Sequence, residues 1–352
     1  MLSSPRDFAC NPKVITTMQY WIGIDVSKET LDVALRNAKG VLVEEKINNT
    51  PKSLKSLLKK WTKQFDLRPQ EYLVCLEPTS YYVNIALQVL AEQSIPTWLI
   101  HCNDLRQSMG MQRGKSDKVD ARRIAEYGWR FQDKARLYTL DQIKMNKLRQ
   151  LLTRRQKYVG HKSMFQRWAD DMVPYMDKEL QKPFSKDDKE LKAMYNEMIK
   201  RVDRRILQVI QEDVVIKEKF DLLRSIEGVG NVLAAHLLAL TDGFTRFTDP
   251  RKLACHAGCA PFENSSGSSL KGRSRVSHHA NHTLKSLLHM SVVGLLRFPG
   301  EFRCFYDRKV AEGKHKMLVL NAMRNKLVHR ICAVINRGTP YKLRTPLANV
   351  IE

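Results

Sequence analysis

The stretch of residues 20–28 constrains the fold most, because it is an apolar run interrupted by one acid, Asp25. Polar sequence bounds it on both sides, which is typical of a buried strand. A carboxylate in the middle of such a strand has a large desolvation cost unless a metal ion or another cation lies beside it. The alternative is that Asp25 only caps the strand end, since acids are common turn formers.

The elements that follow predict a mixed sheet. Residues 31–36 and 41–47 alternate apolar and polar side chains and are joined by a Gly-containing turn at 37–40, so we expect a three-stranded antiparallel meander with Asp25 on its first strand, the central strand of the sheet. Thr50 and Pro51 then predict the N-cap and first residue of a helix. We expect this helix at 51–64, a buried strand at 72–76, a helix at 81–93 and a strand at 97–100. The order βββαβαβ is that of a ribonuclease-H-like α/β domain.

Three further acids point to a metal site. Glu77 directly follows the buried strand at 72–76, and Asp117 and Asp120 are spaced by three, which puts both on one face of a helix. Two carboxylates so placed repel each other unless a divalent cation neutralises them, although such a pair is often just a solvated helix face. With Asp25 they would form a four-acid cluster suited to one or two Mg²⁺ ions for phosphoryl transfer.

Other candidate ligands are set aside. Asp32 falls on the second strand, and Asp104 follows an Asn as a helix cap. A second set of residues could in principle hold zinc but lacks finger-like spacing, so buried thiols and solvent-facing or phosphate-facing histidines are favoured. This set comprises Cys255, His256, Cys259, His278, His279 and His282.

The middle of the chain is charged helical sequence. After an extension at 1–18 and the α/β domain at 19–138, we expect a helical hairpin or coiled coil over 139–225, broken around Pro174, Pro183 and residues 186–189. An apolar stripe over 191–210 is narrow enough for a coiled-coil seam and is the predicted dimer contact; an ordinary helical core is the alternative.

The last part, 226–340 with a tail at 341–352, is expected to be mainly α-helical. Gly228 and Gly230 lie between two apolar helical segments, a pattern that resembles a helix-hairpin-helix, although a plain turn has the same composition. Residues 260–277 are rich in Ser and Gly and contain Lys271, Arg273 and Arg275. By composition alone this is a flexible basic loop.

The charge of the chain favours a polyanionic partner. Its 352 residues contain 60 Lys and Arg against 37 Asp and Glu, a net charge of +23. Nucleic acid is the first candidate and an anionic membrane the second. No apolar run is long enough to span a bilayer, and the seven Cys suit reduced thiols, so we expect a cytoplasmic location.

Five motifs in this order resemble the insertion-sequence-110 family of transposases, the DEDD or Piv-type recombinases. They lie at residues 23–28, 77–78, 115–121, 226–230 and 266–267. The resemblance covers about residues 20–337. It implies an N-terminal fold similar to the RuvC resolvase, with a Mg²⁺-binding tetrad. The tetrad would be Asp25, Glu77, Asp117 and Asp120.

The resemblance also implies a serine nucleophile in the C-terminal domain, for which Ser266 is the candidate and Ser265, Ser268 and Ser269 are neighbours. Attack on a DNA phosphate would give a phosphoserine link. The family works with a structured bridge RNA on double-stranded DNA of element ends and target, as dimers assembling into tetramers in the prokaryotic nucleoid. Expected nucleic-acid contacts are Lys115, Arg122, Arg123, Gly228, Gly230, Lys271, Arg273 and Arg275.

The chain departs from the family where Ser-Lys-x-Gly-Asn usually follows the serine loop, since it has Ser277-His-His-Ala-Asn281 there. Two other functions stay open. One is a RuvC-like nuclease in which the acids activate water, and the other is a catalytically silent nucleic-acid-binding protein.

Overall fold

The computed structural model describes residues 18–78, 81–108, 117–138, 140–247, 249–260, 262–266, 270–275 and 280–342. The chain forms two compact units, residues 1–143 and 144–352. Within the described ranges, no helix combines the length and apolar character needed to cross a bilayer.

The first unit is built on a five-stranded mixed sheet with the order β3-β2-β1-β4-β5. Strands β1, β2 and β3 pair antiparallel, whereas β1, β4 and β5 pair parallel. The predicted meander and the central place of β1 are therefore confirmed, and the topology is ribonuclease-H-like. The strands are β1 Tyr20–Val26, β2 Thr30–Asn37, β3 Val41–Asn48, β4 Tyr72–Leu76 and β5 Thr97–Leu99.

Helices cover both faces of this sheet. They are α1 Pro51–Phe65, α2 Val83–Glu92, α3 Cys102–Ser108 and α4 Asp117–Arg130. Alternate residues of β1 point to opposite faces. Ile22 and Ile24 pack in one core with α1 and α2, and Trp21 packs in the other with Ile124 and Tyr127 of α4. Because β1 is buried on both faces, nearly all of its residues are apolar.

The start of α1 was predicted correctly from two residues. The Thr50 hydroxyl accepts a hydrogen bond from the Ser53 backbone N–H at 3.2 Å, and Pro51 is the first helical residue. Proline suits that position because its missing N–H would have had no partner there. Leu54, Leu57, Leu58 and Trp61 form the buried face of the helix.

The second unit is mostly helical. Its described helices are α5 Leu140–Met172, α6 Lys178–Gln211, α7 Val214–Arg224, α8 Asn231–Thr241, α9 Pro250–His256, α10 His282–Leu295, α11 Glu301–Ala311 and α12 Lys316–Arg337, where α5 begins four residues before the unit does. One large core holds them together, and α12 contributes Met323, Leu327, Val328 and Ile331 to it, each fully buried.

The helices α5 and α6 touch through polar contacts at intervals. The Arg155 guanidinium donates to Asp203 at 2.6 Å, and Lys162 donates to Asn196 at 2.7 Å. The numbers rise on one helix as they fall on the other, as in helices that run in opposite directions. A short 3₁₀ turn, Val173–Tyr175, separates them.

Two details of this region differ from the sequence expectations. The predicted break extends only over the 3₁₀ turn, because α6 runs through Pro183, which costs one backbone hydrogen bond near an exposed helix start. The predicted dimer stripe at 191–210 is divided. Ile206 and Ile210 are buried in this chain's own core, and Met194 is 47% exposed, so only the N-terminal part of the stripe is free to meet a partner.

Candidate metal centre and nucleic-acid interface

Asp25 and Glu77 lie side by side at the ends of neighbouring parallel strands. Ile24 of β1 is in register with Leu76 of β4, so Asp25 and Glu77 are the next residues on each strand. Asp25 follows Trp21 and Gly23 in the alternation of β1 and therefore faces the side covered by α4. Two of the four predicted acids are thus brought to one edge of one sheet face.

Helix α4 carries the other two predicted acids and packs on the same face of the sheet. It begins at Asp117, and Asp120 lies on its first turn, partly buried. The helix rests directly on β1 at Gly23, where an added Cβ would lie 2.2 Å from the Ala121 carbonyl oxygen and 2.4 Å from the Ala125 nitrogen. Only glycine permits this approach, which fixes the height of the helix above the sheet. The side chain of Asp117 lies outside the described part.

The basic residues after Asp120 already have acidic partners. Arg123 donates to the Asp120 carboxylate at 2.8 Å, one helical turn away. Arg122 forms a two-point contact with Glu44 of β3, with one N···O distance of 2.6 Å. Both were predicted as nucleic-acid contacts. The structure shows them bound to carboxylates at the border of the site, and Lys115 lies outside the described residues.

Glu77 contacts the thiol of Cys102, the first residue of α3. Burial raises the pKa of Cys102, and the hydrogen bond to the Glu77 carboxylate raises this pKa further. The thiol is therefore a neutral donor that holds the Glu77 side chain, so α3 supports the site from the β5 side.

The donor set fits a hard divalent cation. All four predicted ligands are carboxylates, the ligand type that Mg²⁺ prefers, and they come from β1, the end of β4 and the first turn of α4. Among the side chains that the structure describes, no three acidic, His or Cys groups are drawn together tightly enough to hold a metal ion. The side chain of Asp117 is not among them.

A fifth acid, Asp32, lies directly opposite Asp25 on the adjacent antiparallel strand. The sequence prediction set Asp32 aside because it considered only that this residue lies on the second strand, and not which residue of β1 it would pair with. The signal that would have found it is the length of the turn: Ser27 N–H donates to the Thr30 carbonyl at 2.9 Å, which leaves only Lys28 and Glu29 in the loop and fixes the register.

In the second unit, the glycine turn lies between α7 and α8, as predicted. Gly228 has a φ of +81°, and Gly230 is the N-cap of α8. Arg224 donates to the Val229 carbonyl and so braces the turn. A Cβ on Gly228 would lie 2.8 Å from the side chain of Leu295, so this glycine is needed for packing as well as for backbone conformation.

Ser266 lies at the end of a strand. The predicted flexible loop instead contains a two-stranded antiparallel sheet, β6 Phe262–Ser266 and β7 Leu270–Arg275, with Ser266 in register with Leu270. Lys271, Arg273 and Arg275 lie on β7. Backbone pairing ordered a segment that Ser, Gly and charge composition predicted as loop. Ser268, Ser269, His278, His279 and the side chains of the hairpin lie outside the described part.

Two family models match the chain. The model described as Transposase matches residues 22–168, and the model described as Transposase IS116/IS110/IS902 family matches residues 220–307. The chain belongs to the IS110 family of insertion-sequence transposases.

Curated relatives agree with this family. The chain is similar to an uncharacterized 44.8 kDa protein of insertion element IS116 from Streptomyces clavuligerus, at 30% identity over 38% of this chain and 32% of the relative. It is also similar to an uncharacterized 43.6 kDa protein of insertion element IS110 from Streptomyces coelicolor, at 32% identity over 36% of this chain and 31% of the relative. The matched region thus spans about a third of each relative.

The chain also aligns with solved structures. The RuvC protein of Thermus thermophilus in complex with a Holliday junction substrate aligns with a TM-score of 0.26 at 14% identity, over 34% of this chain and 99% of that chain. A second structure of the same RuvC protein gives a TM-score of 0.25 at 13% identity.

Proposed function

We propose that the chain is a DNA transposase that cuts and rejoins strands through a phosphoserine intermediate, with Mg²⁺ bound by Asp25, Glu77, Asp117 and Asp120. The observation that carries the proposal is the convergence of strand ends and helix start on one sheet face. This places Asp25 beside Glu77 and sets the first turn of α4 over them. Asp25, Glu77 and Asp120 are partly buried, and several negative charges held on one face repel each other unless a cation is bound.

The metal would supply charge neutralisation at the phosphate. The chain's own groups have the other roles. Asp25 and Glu77 would bind the metal from the sheet, and Asp117 and Asp120 would bind it from the helix. The Cys102 thiol keeps Glu77 oriented, and Arg123 keeps Asp120 oriented.

Ser266 is the proposed nucleophile. Its hydroxyl oxygen attacks a DNA phosphorus, a P–O bond forms, and the P–O bond to one deoxyribose oxygen breaks. The serine proton leaves, and the released deoxyribose oxygen takes up a proton, so one phosphodiester replaces another. Rejoining reverses these steps and needs no ATP. Serine is a weak nucleophile without activation, and the cations of β7, Arg273 and Arg275, are the proposed electrophilic partners of the phosphate.

We also propose that a structured RNA guides the choice of DNA and that the active form is a dimer that assembles into a tetramer. The net charge of +23 supports binding of a large polyanion. The exposed N-terminal part of the stripe at 191–210, which includes Met194, is the proposed protein contact. Action on element ends would place the protein at the prokaryotic nucleoid.

The test is a search for a covalent adduct. Purified protein with its co-purified RNA, Mg²⁺ and labelled DNA of the element ends is run on a denaturing gel, with and without protease. We expect a slow, protease-sensitive band that is lost in Ser266→Ala and in Asp25→Asn. Asp104→Asn is the matched acid control and keeps the band, because Asp104 lies on α3 outside the tetrad. Ser265→Ala tests whether the nucleophile is the neighbouring serine.

The rival outcomes separate clearly. Free cut ends with no adduct, made by Ser266→Ala but not by Asp25→Asn, would replace the proposal with hydrolysis by a RuvC-like nuclease. Binding of DNA and RNA with no cutting by the unaltered protein would favour a silent binding protein.

A further inference from the structure

A row of charged residues crosses four neighbouring chain segments at one level of the sheet. Lys46 of β3 is in register with Asp32 of β2, and Asp32 is in register with Asp25 of β1. Glu77 follows β4 beside Asp25. Side chains directly opposite each other across antiparallel strands share a face and are close enough to interact. The row therefore reads Lys46, Asp32, Asp25, Glu77.

Asp32 is a costly residue to bury. It is 3% exposed, and its Oδ2 atom has no hydrogen-bond donor within the described residues. Lys46 Nζ lies 3.3 Å from this oxygen, within ion-pair distance but without hydrogen-bond geometry. The contact is therefore an attraction between charges, and the Oδ2 atom accepts no hydrogen bond from Lys46.

Lys46 alone does not account for this burial. Its side chain is 48% exposed, and an ion pair with one solvated partner is a weak compensation for a desolvated carboxylate. Asp32 also has no turn or capping role, because it lies inside an eight-residue strand. A like-charge neighbour, Asp25, directly opposite makes the arrangement less favourable still until a cation is present.

We propose that Asp32 is a positioning residue for the divalent cation and acts through Asp25 from the neighbouring strand. This inference rests on the metal site proposed above. The Asp32 carboxylate adds negative charge next to the Asp25 carboxylate and so raises the affinity of the site for a cation. Lys46 opposes this effect and offsets the repulsion between Asp25 and Asp32 when no cation is bound. The two residues therefore change the metal affinity in opposite directions.

The charges predict opposite effects for the two substitutions. Removing a full negative charge one strand away from the site weakens cation binding by roughly tenfold or more, and removing the positive charge of Lys46, which is farther and more solvated, strengthens it by about two- to fivefold. A structural ion pair predicts something else, namely that Asp32→Asn and Lys46→Gln lower thermal stability together and leave metal affinity alone.

The experiment measures Mn²⁺ and Mg²⁺ binding to the full chain by isothermal titration calorimetry, for the unaltered protein and for Asp25→Asn, Asp32→Asn and Lys46→Gln. Circular dichroism and gel filtration report folding. We expect no saturable site in Asp25→Asn, a Kd raised roughly tenfold in Asp32→Asn, and a lowered Kd in Lys46→Gln. A second readout is DNA cleavage against Mg²⁺ concentration, where Asp32→Asn should need more Mg²⁺ but reach a similar maximal rate.

The outcomes keep the two ideas apart. An unchanged Kd in Asp32→Asn, together with lost binding in Asp25→Asn, would overturn the role of Asp32 and leave the metal site standing. Unchanged binding in Asp25→Asn would overturn the metal site itself. If Asp32→Asn does not fold, Lys46→Gln decides, because an unchanged or raised Kd in that variant contradicts the proposal.

Discussion

The contact between Gly23 and α4 gives the sharpest test of how the site is built. In Gly23→Ala, the new Cβ would lie 2.2 Å from the Ala121 carbonyl oxygen and 2.4 Å from the Ala125 nitrogen. These are backbone atoms and cannot rotate away, so the helix must retreat by about 1 Å to restore van der Waals contact. Overpacking usually costs about 1–3 kcal/mol, and a clash with backbone belongs at the upper end, near 3 kcal/mol.

The retreat has a second consequence, because α4 carries Asp117 and Asp120. A displacement of about 1 Å at a catalytic centre can cost on the order of 10²-fold in rate. We therefore expect Gly23→Ala to lower the unfolding temperature of the first unit by roughly 10 °C and to reduce DNA cleavage on the order of a hundredfold. Hydrogen exchange of peptides from β1 and α4, followed as a function of temperature, measures the first effect, and the adduct assay measures the second.

Two glycines serve as controls. A Cβ on Gly128 would meet the Sγ atom of Cys75 at 2.5 Å, a side-chain clash that Cys75→Ala should relieve in the double variant. No such rescue exists for Gly23. Gly160→Ala, in α5, meets nothing within 4 Å and should be neutral or stabilising by up to about 1 kcal/mol. A Gly23→Ala protein with unaltered exchange and unaltered cleavage would refute the idea that this contact sets the position of α4.

Two other predictions concern stability. Thr50→Ala removes the acceptor for the Ser53 N–H and should cost about 1 kcal/mol in the first unit, whereas Thr50→Ser keeps the cap; equal urea midpoints for the two variants would contradict this. In the second unit, burial and, to a smaller extent, the charge of Arg155 lower the pKa of His236 to about 4. The unfolded chain therefore takes up this proton first as pH falls below about 6.5, and stability is lost between there and pH 4. His236→Gln should lose about 2 kcal/mol less than the unaltered protein between pH 7.5 and pH 5 in urea titrations, and parallel losses would show that His236 is not the group responsible.

Much of the first unit could be predicted because its local signals agree with its packing. Thr50 and Pro51 mark a helix start, and alternation in residues 31–36 and 41–47 marks strands with two different faces. A helix or strand can be predicted from the sequence when its local preference and its burial agree in this way. The nearness of Glu77 to Asp25 also follows, since both come at the ends of strands that pair in parallel.

The missed features depend on partners that a pattern does not contain. β6 and β7 have Ser, Gly and charged residues, so only their pairing with each other reveals them. Asp32 was set aside because its importance comes from register with Asp25 and not from its own neighbours in sequence. The continuation of α6 through Pro183 shows that the helical hydrogen bonds of the neighbouring residues can outweigh one lost hydrogen bond.

The tight turn between β1 and β2 has a consequence for synthesis. Asp25 and Asp32 come together through a local hairpin, which can form as soon as residue 37 has left the ribosome. Asp117 and Asp120 lie on α4, whose closure onto β1 joins segments far apart in sequence and waits until Arg130 is made. At translation rates of about 5–20 residues per second, the nascent chain carries this hairpin without the two acids of α4 for roughly 5–20 s. The proposed metal site is therefore complete only after α4 has been synthesised.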